Sequence, residues 1–240
     1  MIAKLRVLLV DDHAVVREGY RRLLETTGEI AVAAEAASGE DAYAAYARCT
    51  PDVCVMDISL PGISGLEALH RIRARDPAAK VLMFSMHADP VFVERALDGG
   101  ALGYLTKASA PDMLVEAVLT IAAGKRFLPS ELTQRLGELV SNGGNGLLDV
   151  LTEREFEVLR LLTEGRSLAE IAAMLCVSTK TVANYQTNVR QKLGADNAMQ
   201  LLRLALASGL GGAATERRPA VSGGRPANLT TPAAMPLLAT

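Results

Sequence analysis

The sequence has few cysteines and little net charge, and each shortage excludes a class of protein. Its three cysteines, Cys49, Cys54 and Cys176, are spaced like neither a zinc cluster nor a disulfide framework. We therefore expect a reducing compartment, the cytoplasm. The 25 basic and 27 acidic residues leave a net charge of −2, which gives the chain no overall attraction to nucleic acid or membrane surfaces. Any nucleic-acid site must be a local basic surface.

Long apolar runs and internal repeats are missing as well. No stretch reaches the roughly 18 uninterrupted apolar residues that a membrane span needs, so no span is expected. Residues 7–10 form an apolar run that is too short for a signal peptide and ends at Asp11 and Asp12. Half of the 240 residues are hydrophobic, enough for one large or two small folded domains.

Residues 1–123 alternate between predicted strands and predicted helices. Short apolar runs bounded by turn residues predict buried strands at residues 5–10, 30–35, 52–56, 80–85 and 101–106. Helical periodicity with capping residues predicts helices near residues 13–27, 38–48, 64–75, 89–98 and 110–123. This order predicts a five-stranded parallel sheet covered on both faces, a doubly wound, flavodoxin-like α/β fold.

Polar residues stand at the ends of four predicted strands. Asp11 and Asp12 follow the first strand, Asp57 follows the third, Ser85 ends the fourth and Lys107 follows the fifth. Because open α/β folds bind ligands at the carboxyl ends of their strands, we expect these side chains to converge. Three carboxylates repel one another without a cation, and their oxygens suit Mg²⁺. Asp12 and Asp57 could ligate the ion directly, and Asp11 through water.

Such a group has the chemistry of a phosphoryl acceptor. Asp57 beside Mg²⁺ would be an aimed nucleophile, Lys107 would supply a point charge for the phosphoryl oxygens, and Ser85 would supply a hydroxyl. Taken singly, each residue has an ordinary alternative as a cap, turn, surface or structural residue. Only their joint occurrence, each at the end of a different strand and in order, favours a site. His13 and His87 lie nearby, but neither has partners at ligand spacing, so a metal or phosphohistidine role is not favoured.

These stretches resemble a known family. Residues 1–123 resemble the receiver domain of a two-component response regulator. The matching stretches are LLVDDH, VCVMDISLPGISGLE, VLMFSMH and GALGYLTKAS. The resemblance implies that a sensor histidine kinase phosphorylates Asp57. It also implies that Asp11 and Asp12 bind Mg²⁺, that Ser85 and Lys107 contact the phosphoryl group, and that Tyr104 is a switch residue. Two details depart from the usual pattern: Pro111 does not directly follow Lys107, and Ser85 replaces a threonine while keeping its hydroxyl.

Two other stretches have the composition of connecting segments. Residues 124–148 contain a short amphipathic stretch, 130–139, and then a Gly- and Asn-rich run, 141–146. This run predicts a flexible linker that lets a second domain dock on the first or swing away. Residues 209–240 turn to Gly, Ala, Pro and Thr without an apolar period, which predicts a disordered tail.

Residues 149–208 have helical patterns throughout. Capping boxes at Thr152 and Ser167 open two helices. A tight turn at residues 176–178 separates the second helix from a long third one, and a fourth helix spans residues 197–207. Two helices joined by such a short turn predict a helix-turn-helix in a small all-α domain.

The helix after the turn carries basic and amide side chains and no acidic residue. Its N-terminus and hydroxyls could bind phosphates, and its amides could read base edges, although a polar helix face can also be merely solvated. The candidate DNA contacts are Ser178, Thr179, Lys180, Thr181, Asn184, Tyr185, Asn188, Arg190 and Lys192.

The second domain resembles the LuxR-type helix-turn-helix of NarL/FixJ regulators. The matching stretch is LTEREFEVLRLLTEGRSLAEIAAMLCVSTKTVANYQTNVRQKLGA. Joined to a receiver, it implies a transcriptional regulator rather than an enzyme. It also implies a homodimer on two-fold promoter DNA after activation, with RNA polymerase as a further candidate partner. Ala183 and Tyr185 stand where lysine and histidine are common. Since affinity depends on summed phosphate contacts, Ala183 predicts weaker binding per monomer and more reliance on dimerisation.

Three other functions share parts of this pattern. A receiver that works without phosphorylation would not need the whole set of acidic residues with Ser85 and Lys107. A phosphatase with an aspartyl nucleophile usually has a second aspartate two residues later, where this chain has Ser59. A ligand-sensing regulator with the same DNA-binding type would not need Asp57 and its neighbours.

Overall fold

A computed structural model describes residues 4–109, 111–141, 146–208 and 210. Its sheet contains the strands β1 (Leu5–Val10), β2 (Ile30–Ala36), β3 (Val53–Met56), β4 (Val81–Ser85) and β5 (Gly103–Thr106). All neighbours pair in parallel in the order β2-β1-β3-β4-β5. The helices between and after them are α1 (Ala14–Thr26), α2 (Gly39–Cys49), α3 (Gly65–Arg75), α4 (Pro90–Asp98) and α5 (Pro111–Ala122). The predicted doubly wound five-stranded fold is confirmed.

Both faces of the sheet are buried, which explains why its strands are apolar without alternation. In β3, Cys54 and Met56 pack into one core with α2, α3 and α4, whereas Val53 and Val55 pack into the other core with α1 and α5. Successive side chains of a strand point to opposite faces, so a strand covered on both faces must be apolar at every position.

The register of the strands brings their carboxyl ends to one level. Val10 of β1 is the partner of Met56 in β3, and the Asp57 amide continues the ladder by donating to the Val10 carbonyl at 3.0 Å. On the other side, the Lys107 amide donates to the Ser85 carbonyl at 2.8 Å. The polar residues that follow these strands therefore start from one edge of the sheet.

The start of the fifth strand differs most from the sequence prediction. The fifth strand was predicted from residue 101, but β5 begins at Gly103. The Ala101 amide still donates to the Ala96 carbonyl at 2.9 Å and closes the end of α4, after Gly100 has turned the chain with a φ of 92°. Ala101 is therefore committed to the end of the helix rather than to the sheet.

The segment after α5 was predicted to be a linker, but it contains helices. α6 (Ser130–Ser141) covers the amphipathic stretch, and α7 (Gly146–Asp149) follows. α6 packs on α4, with Leu132 buried and Arg135 Nη1 donating to the Ala88 carbonyl at 3.3 Å. Most of the run that was predicted to be flexible, residues 142–145, lies outside the described residues, as does nearly all of the predicted tail.

The C-terminal part of the fold is a small helical domain. It contains α8 (Glu153–Thr163), α9 (Leu168–Met174), α10 (Thr179–Lys192) and α11 (Ala198–Ala207). Both predicted capping boxes are present, because Thr152 and Ser167 each accept from the amide three residues on and the glutamate there bonds back. Cys176, with a φ of 53°, makes the turn between α9 and α10. Within the described ranges, no helix combines the length and apolar character that crossing a membrane requires.

Candidate functional site

The polar residues predicted at the strand ends lie together at the carboxyl edge of the sheet. Asp11, Asp57 and Ser85 are buried, and only 4% of the Asp57 surface is exposed. Lys107 Nζ lies between two carboxylates, at 2.5 Å from Asp11 Oδ2 and 2.6 Å from Asp57 Oδ2. These contacts join residues 50 and 96 positions apart in the sequence. The ends of β1, β3 and β5 thus converge on one ammonium group.

The charges of this group are not balanced by the protein alone. Burial raises the pKa of Asp57, and the neighbouring ammonium of Lys107 acts against that rise. Burial would lower the pKa of Lys107, but the carboxylates of Asp57 and Asp11 raise it overall. Asp11 and Asp57 share one ammonium, and the adjacent carboxylate of Asp12 lies 2.6 Å from His13 Nδ1. A further cation would therefore be favoured here.

The donor set fits a hard divalent cation. Ligand atoms of Asp11, Asp12 and His13 lie within 4.8 Å of one another, and Asp57 is joined to Asp11 through Lys107. Carboxylate oxygens at a partly open edge suit Mg²⁺, which keeps several of its waters. His13, for which no partner was predicted, has its Nδ1 at 2.6 Å from Asp12 Oδ1. The signal for this contact was simple adjacency in the chain.

Ser85 and Tyr104 both contact the backbone of His87. Ser85 Oγ accepts from the His87 amide at 3.3 Å, and the Tyr104 hydroxyl donates to the His87 carbonyl at 2.7 Å. The Tyr104 side chain is fully buried, and this burial raises the pKa of its hydroxyl. The loop between β4 and α4 is therefore tied to two of the predicted site residues.

Sequence reasoning missed the contact between the site edge and the helical domain. His87 Nε2 lies 3.0 Å from Ser59 Oγ and 3.3 Å from Arg160 Nη1 of α8. Residues 87 and 160 are 73 positions apart in different predicted domains, so no local pattern could join them. The available signal was weak: Arg160 interrupts the apolar face of α8 between Glu157 and Glu164.

The contact continues along α4 as a packed interface. The rings of Phe92 and Phe156 meet edge-on with centroids 5.2 Å apart, and the Arg95 guanidinium lies 3.9 Å from the centre of the Phe156 ring. Arg95 Nη2 also donates to the Leu148 carbonyl at 2.6 Å. Phe92 and Phe156 are completely buried. The helical domain is thus docked on α4 through an aromatic and charged contact.

α10 presents most of the predicted DNA-contacting residues to solvent. Ser178, Thr179, Lys180, Asn184 and Asn188 are exposed. Ser178 also caps the helix by accepting from the Thr181 amide at 3.1 Å. An exposed helix N-terminus with hydroxyl and amide side chains is suited to phosphate and base-edge contacts.

Four other predicted contacts have partners within their own domain. Lys192 Nζ lies 2.7 Å from Glu155 Oε2, and Arg190 donates to the carbonyls of Ala195 and Asp196. Two further side chains are half-buried: Tyr185 packs against the core formed with α9, and the Thr181 hydroxyl is 2.8 Å from that of Ser178. Any DNA contact by Lys192 or Arg190 would use the N–H donors that these partners leave over.

Two family models match the chain. The response regulator receiver domain matches residues 7–119, and the model of bacterial regulatory proteins of the luxR family matches residues 149–205. The first match covers the sheet with its helices, and the second covers the helical domain that docks on α4.

Several known proteins are similar to this chain over most of its length. The transcriptional activator protein ExaE of Pseudomonas putida is 41% identical over 207 residues, which cover 85% of this chain and 97% of ExaE. The response regulator UvrY of Escherichia coli K12 is 36% identical over 213 residues, which cover 88% and 98%. The structure of RcsB from Salmonella enterica serovar Typhimurium, bound to promoter P1flhDC in the presence of phosphomimetic BeF3−, is 28% identical with a TM-score of 0.59. That match covers 85% of this chain and 100% of the RcsB chain.

Proposed function

The chain belongs to the response regulators that join a receiver domain to a LuxR-type DNA-binding domain, and we propose that phosphorylation of Asp57 controls its action on DNA. One observation carries this proposal. Lys107 lies between the buried carboxylates of Asp11 and Asp57, at the carboxyl edge of the sheet. Such a lysine can compensate charge on a phosphoryl group attached to Asp57.

Mg²⁺ would be held at this edge by Asp11, Asp12 and Asp57. When bound, the ion supplies positive charge that offsets the phosphoryl oxygens and orients them for in-line transfer. Asp57 supplies the nucleophilic oxygen, and Lys107 supplies the fixed ammonium. Ser85 contributes a hydroxyl that can turn toward the new oxygens, and Tyr104 is the switch residue behind it.

The phosphoryl donor is proposed to be a sensor histidine kinase in the cytoplasm. The receiver domain would span residues 1–123, the linker 124–148, the DNA-binding domain 149–208 and a disordered tail 209–240. Phosphorylation would favour a homodimer whose two α10 helices enter adjacent major grooves of a two-fold promoter site. Contact with RNA polymerase would follow from binding beside a promoter.

Labelling with acetyl phosphate tests the role of Asp57. We expect the wild-type chain to incorporate phosphoryl in the presence of Mg²⁺, and Asp57→Asn to lose it because the amide is not a nucleophile. Asp112→Asn, an exposed carboxylate at the start of α5, is the matched control and should label normally. Labelling that persists in Asp57→Asn would contradict the assignment. Wild-type chain that never labels would favour a receiver that works without phosphorylation.

A further inference from the structure

His87 contacts both domains, and its position is set by residues of the Asp57 site. Its backbone amide and carbonyl bond to Ser85 and Tyr104, as described above. Its ring stacks on Phe92 with centroids 4.7 Å apart. Its Nε2 faces Ser59, whose amide donates to Asp57 Oδ1 at 3.2 Å. A short chain of contacts therefore leads from the Asp57 carboxylate to the His87 ring.

Arg160 extends this chain of contacts into the DNA-binding domain. Only 4% of its surface is exposed, and its guanidinium bonds to Glu157 at 2.6 Å and to Glu164 at 2.5 Å. Its Nε has no hydrogen-bond partner among the described residues. A cavity of about 220 Å³ between the domains is lined by Arg160 together with Asp12 and Ser59. The guanidinium is thus buried beside the edge that carries the phosphoacceptor.

The chemistry of the three groups makes their contact competitive. An arginine N–H can only donate, so His87 Nε2 must be the acceptor and the ring proton must be on Nδ1. The Ser59 hydroxyl, at 3.0 Å, then has no Nε2 proton to accept and must also donate. A neutral imidazole offers one lone pair at Nε2. Ser59 and Arg160 therefore compete for a single acceptor site.

From these contacts we infer that His87 couples the state of Asp57 to the docking of the DNA-binding domain, by sharing its Nε2 between Ser59 and Arg160. This inference rests on the proposed phosphorylation of Asp57. A phosphoryl group brings three strong acceptor oxygens close to the hydroxyls of Ser59 and Ser85. A hydroxyl that turns toward these oxygens changes its hydrogen bond with His87. This in turn changes the hydrogen bond between His87 Nε2 and Arg160. The signal then crosses directly from β4 and α4 to α8, without passing along the linker.

A double-mutant cycle with beryllofluoride and Mg²⁺ tests the coupling in the full chain. Binding to Asp57 is followed by the ¹⁹F resonance of the bound adduct. Because coupling between two sites is reciprocal, a change at Arg160 must alter the affinity at Asp57. We expect Arg160→Gln to shift that affinity by about fivefold or more in the wild-type background. In the His87→Asn background, the same change should have little effect.

Controls separate this coupling from loss of structure. Arg166→Gln removes an exposed arginine of the same domain and should shift the affinity in neither background. Circular dichroism reports whether Arg160→Gln is folded, and Arg160→Lys, which keeps the charge, is the substitute if it is not. Amide hydrogen exchange in α8 needs no change at Arg160: beryllofluoride should alter it in the wild type and not in His87→Asn.

The outcomes are distinct. Equal shifts by Arg160→Gln in both backgrounds, or no shift in either, would overturn the inference while leaving Asp57 as the acceptor. An α8 exchange response that survives in His87→Asn would overturn it as well. Wild-type chain that binds no beryllofluoride would contradict the proposed role of Asp57 and, with it, the coupling.

Discussion

The protonation state of single side chains affects the contacts at the carboxyl edge of the sheet, and the pKa of His87 in particular is strongly shifted. Burial, followed by the nearby charges of Arg160 and Lys107, lowers the pKa of His87 to about 3. The pKa of a histidine in an unfolded chain is about 6.5. At neutral pH the ring is therefore uncharged both in the folded and in the unfolded chain, and the contact with Arg160 has no charge repulsion.

Acid should destabilise the folded chain through His87. Below a pH of about 6.5 the unfolded state binds a proton that the folded state does not bind until about pH 3, so stability falls as pH falls through that window. We expect roughly 1–2 kcal/mol of this loss between about pH 7.5 and 5 to disappear in His87→Asn, as measured by urea unfolding. His70→Asn, at an exposed position, should keep the wild-type pH dependence. Equal pH dependence in both variants would contradict the assignment to His87.

A second residue-scale prediction concerns DNA affinity. Ala183 is half-buried on α10, where a lysine would add a phosphate contact. Since each phosphate contact releases counterions, Ala183→Lys should tighten binding and steepen the slope of log K against log salt by about 0.9 per monomer. Fluorescence anisotropy with a labelled duplex at several KCl concentrations measures the slope. Ala183→Gln, long but neutral, should leave it unchanged; a steeper slope with glutamine would show that charge is not the cause.

Residues differ in how far the sequence alone predicts them. Asp11, Asp57, Ser85 and Lys107 stand out because each follows or ends a strand, and parallel strands bring such positions to one edge. The position of Arg160 could not be predicted, since it depends on how the two domains dock. Burial of its charge follows from that docking and from the flanking glutamates, which look like an ordinary helix-surface network in the sequence.

Among the elements, α9 depends most strongly on its cap. It has seven residues, Leu168–Met174, and so few internal hydrogen bonds. Ser167→Ala should lower the free energy of unfolding by about 1 kcal/mol, because the Glu170 amide loses its acceptor and the capping box is broken. Ser167→Asp, which can still cap, should stay close to the wild type. Urea unfolding compares the two, and an alanine variant as stable as the aspartate variant would contradict the role of the cap.

Helices and strands could be predicted where local periodicity and capping residues mark them. The structure of the predicted linker was harder to predict. Ser130–Ser141 is amphipathic in the sequence, but the partner of its apolar face is α4 of the receiver part. A sequence pattern shows that a face is apolar and does not show what covers it. For the same reason, the contact between Phe92 and Phe156 could not be predicted from the sequence.

At the scale of the whole molecule, docking depends on Arg95 of α4. Its guanidinium covers the Phe156 ring and bonds to the Leu148 carbonyl. Arg95→Met should remove the cation–π contact with Phe156 and one of the two donors to this carbonyl, which still accepts from the Leu151 amide at 3.1 Å. We expect this to cost about 1–2 kcal/mol and to shift the molecule toward an undocked form. Small-angle scattering should show a larger radius of gyration, with faster amide exchange in α8. Arg71→Met, which breaks only an exposed pair with Glu67, is the control; scattering identical to wild type in Arg95→Met would contradict this prediction.

The outward position of α10 has a consequence for the search along DNA. Because Thr179, Lys180 and Asn184 are exposed while α8 is docked, a single copy in this docked form would keep its α10 surface for weak, salt-sensitive contact with any duplex. Such contact lets a protein slide and hop rather than diffuse freely, so the regulator could already be distributed along the chromosome before a signal arrives. After activation, the remaining step would be the pairing of two neighbouring copies on one DNA site. The response time would then depend on how fast two DNA-bound copies meet rather than on diffusion from solution to the site.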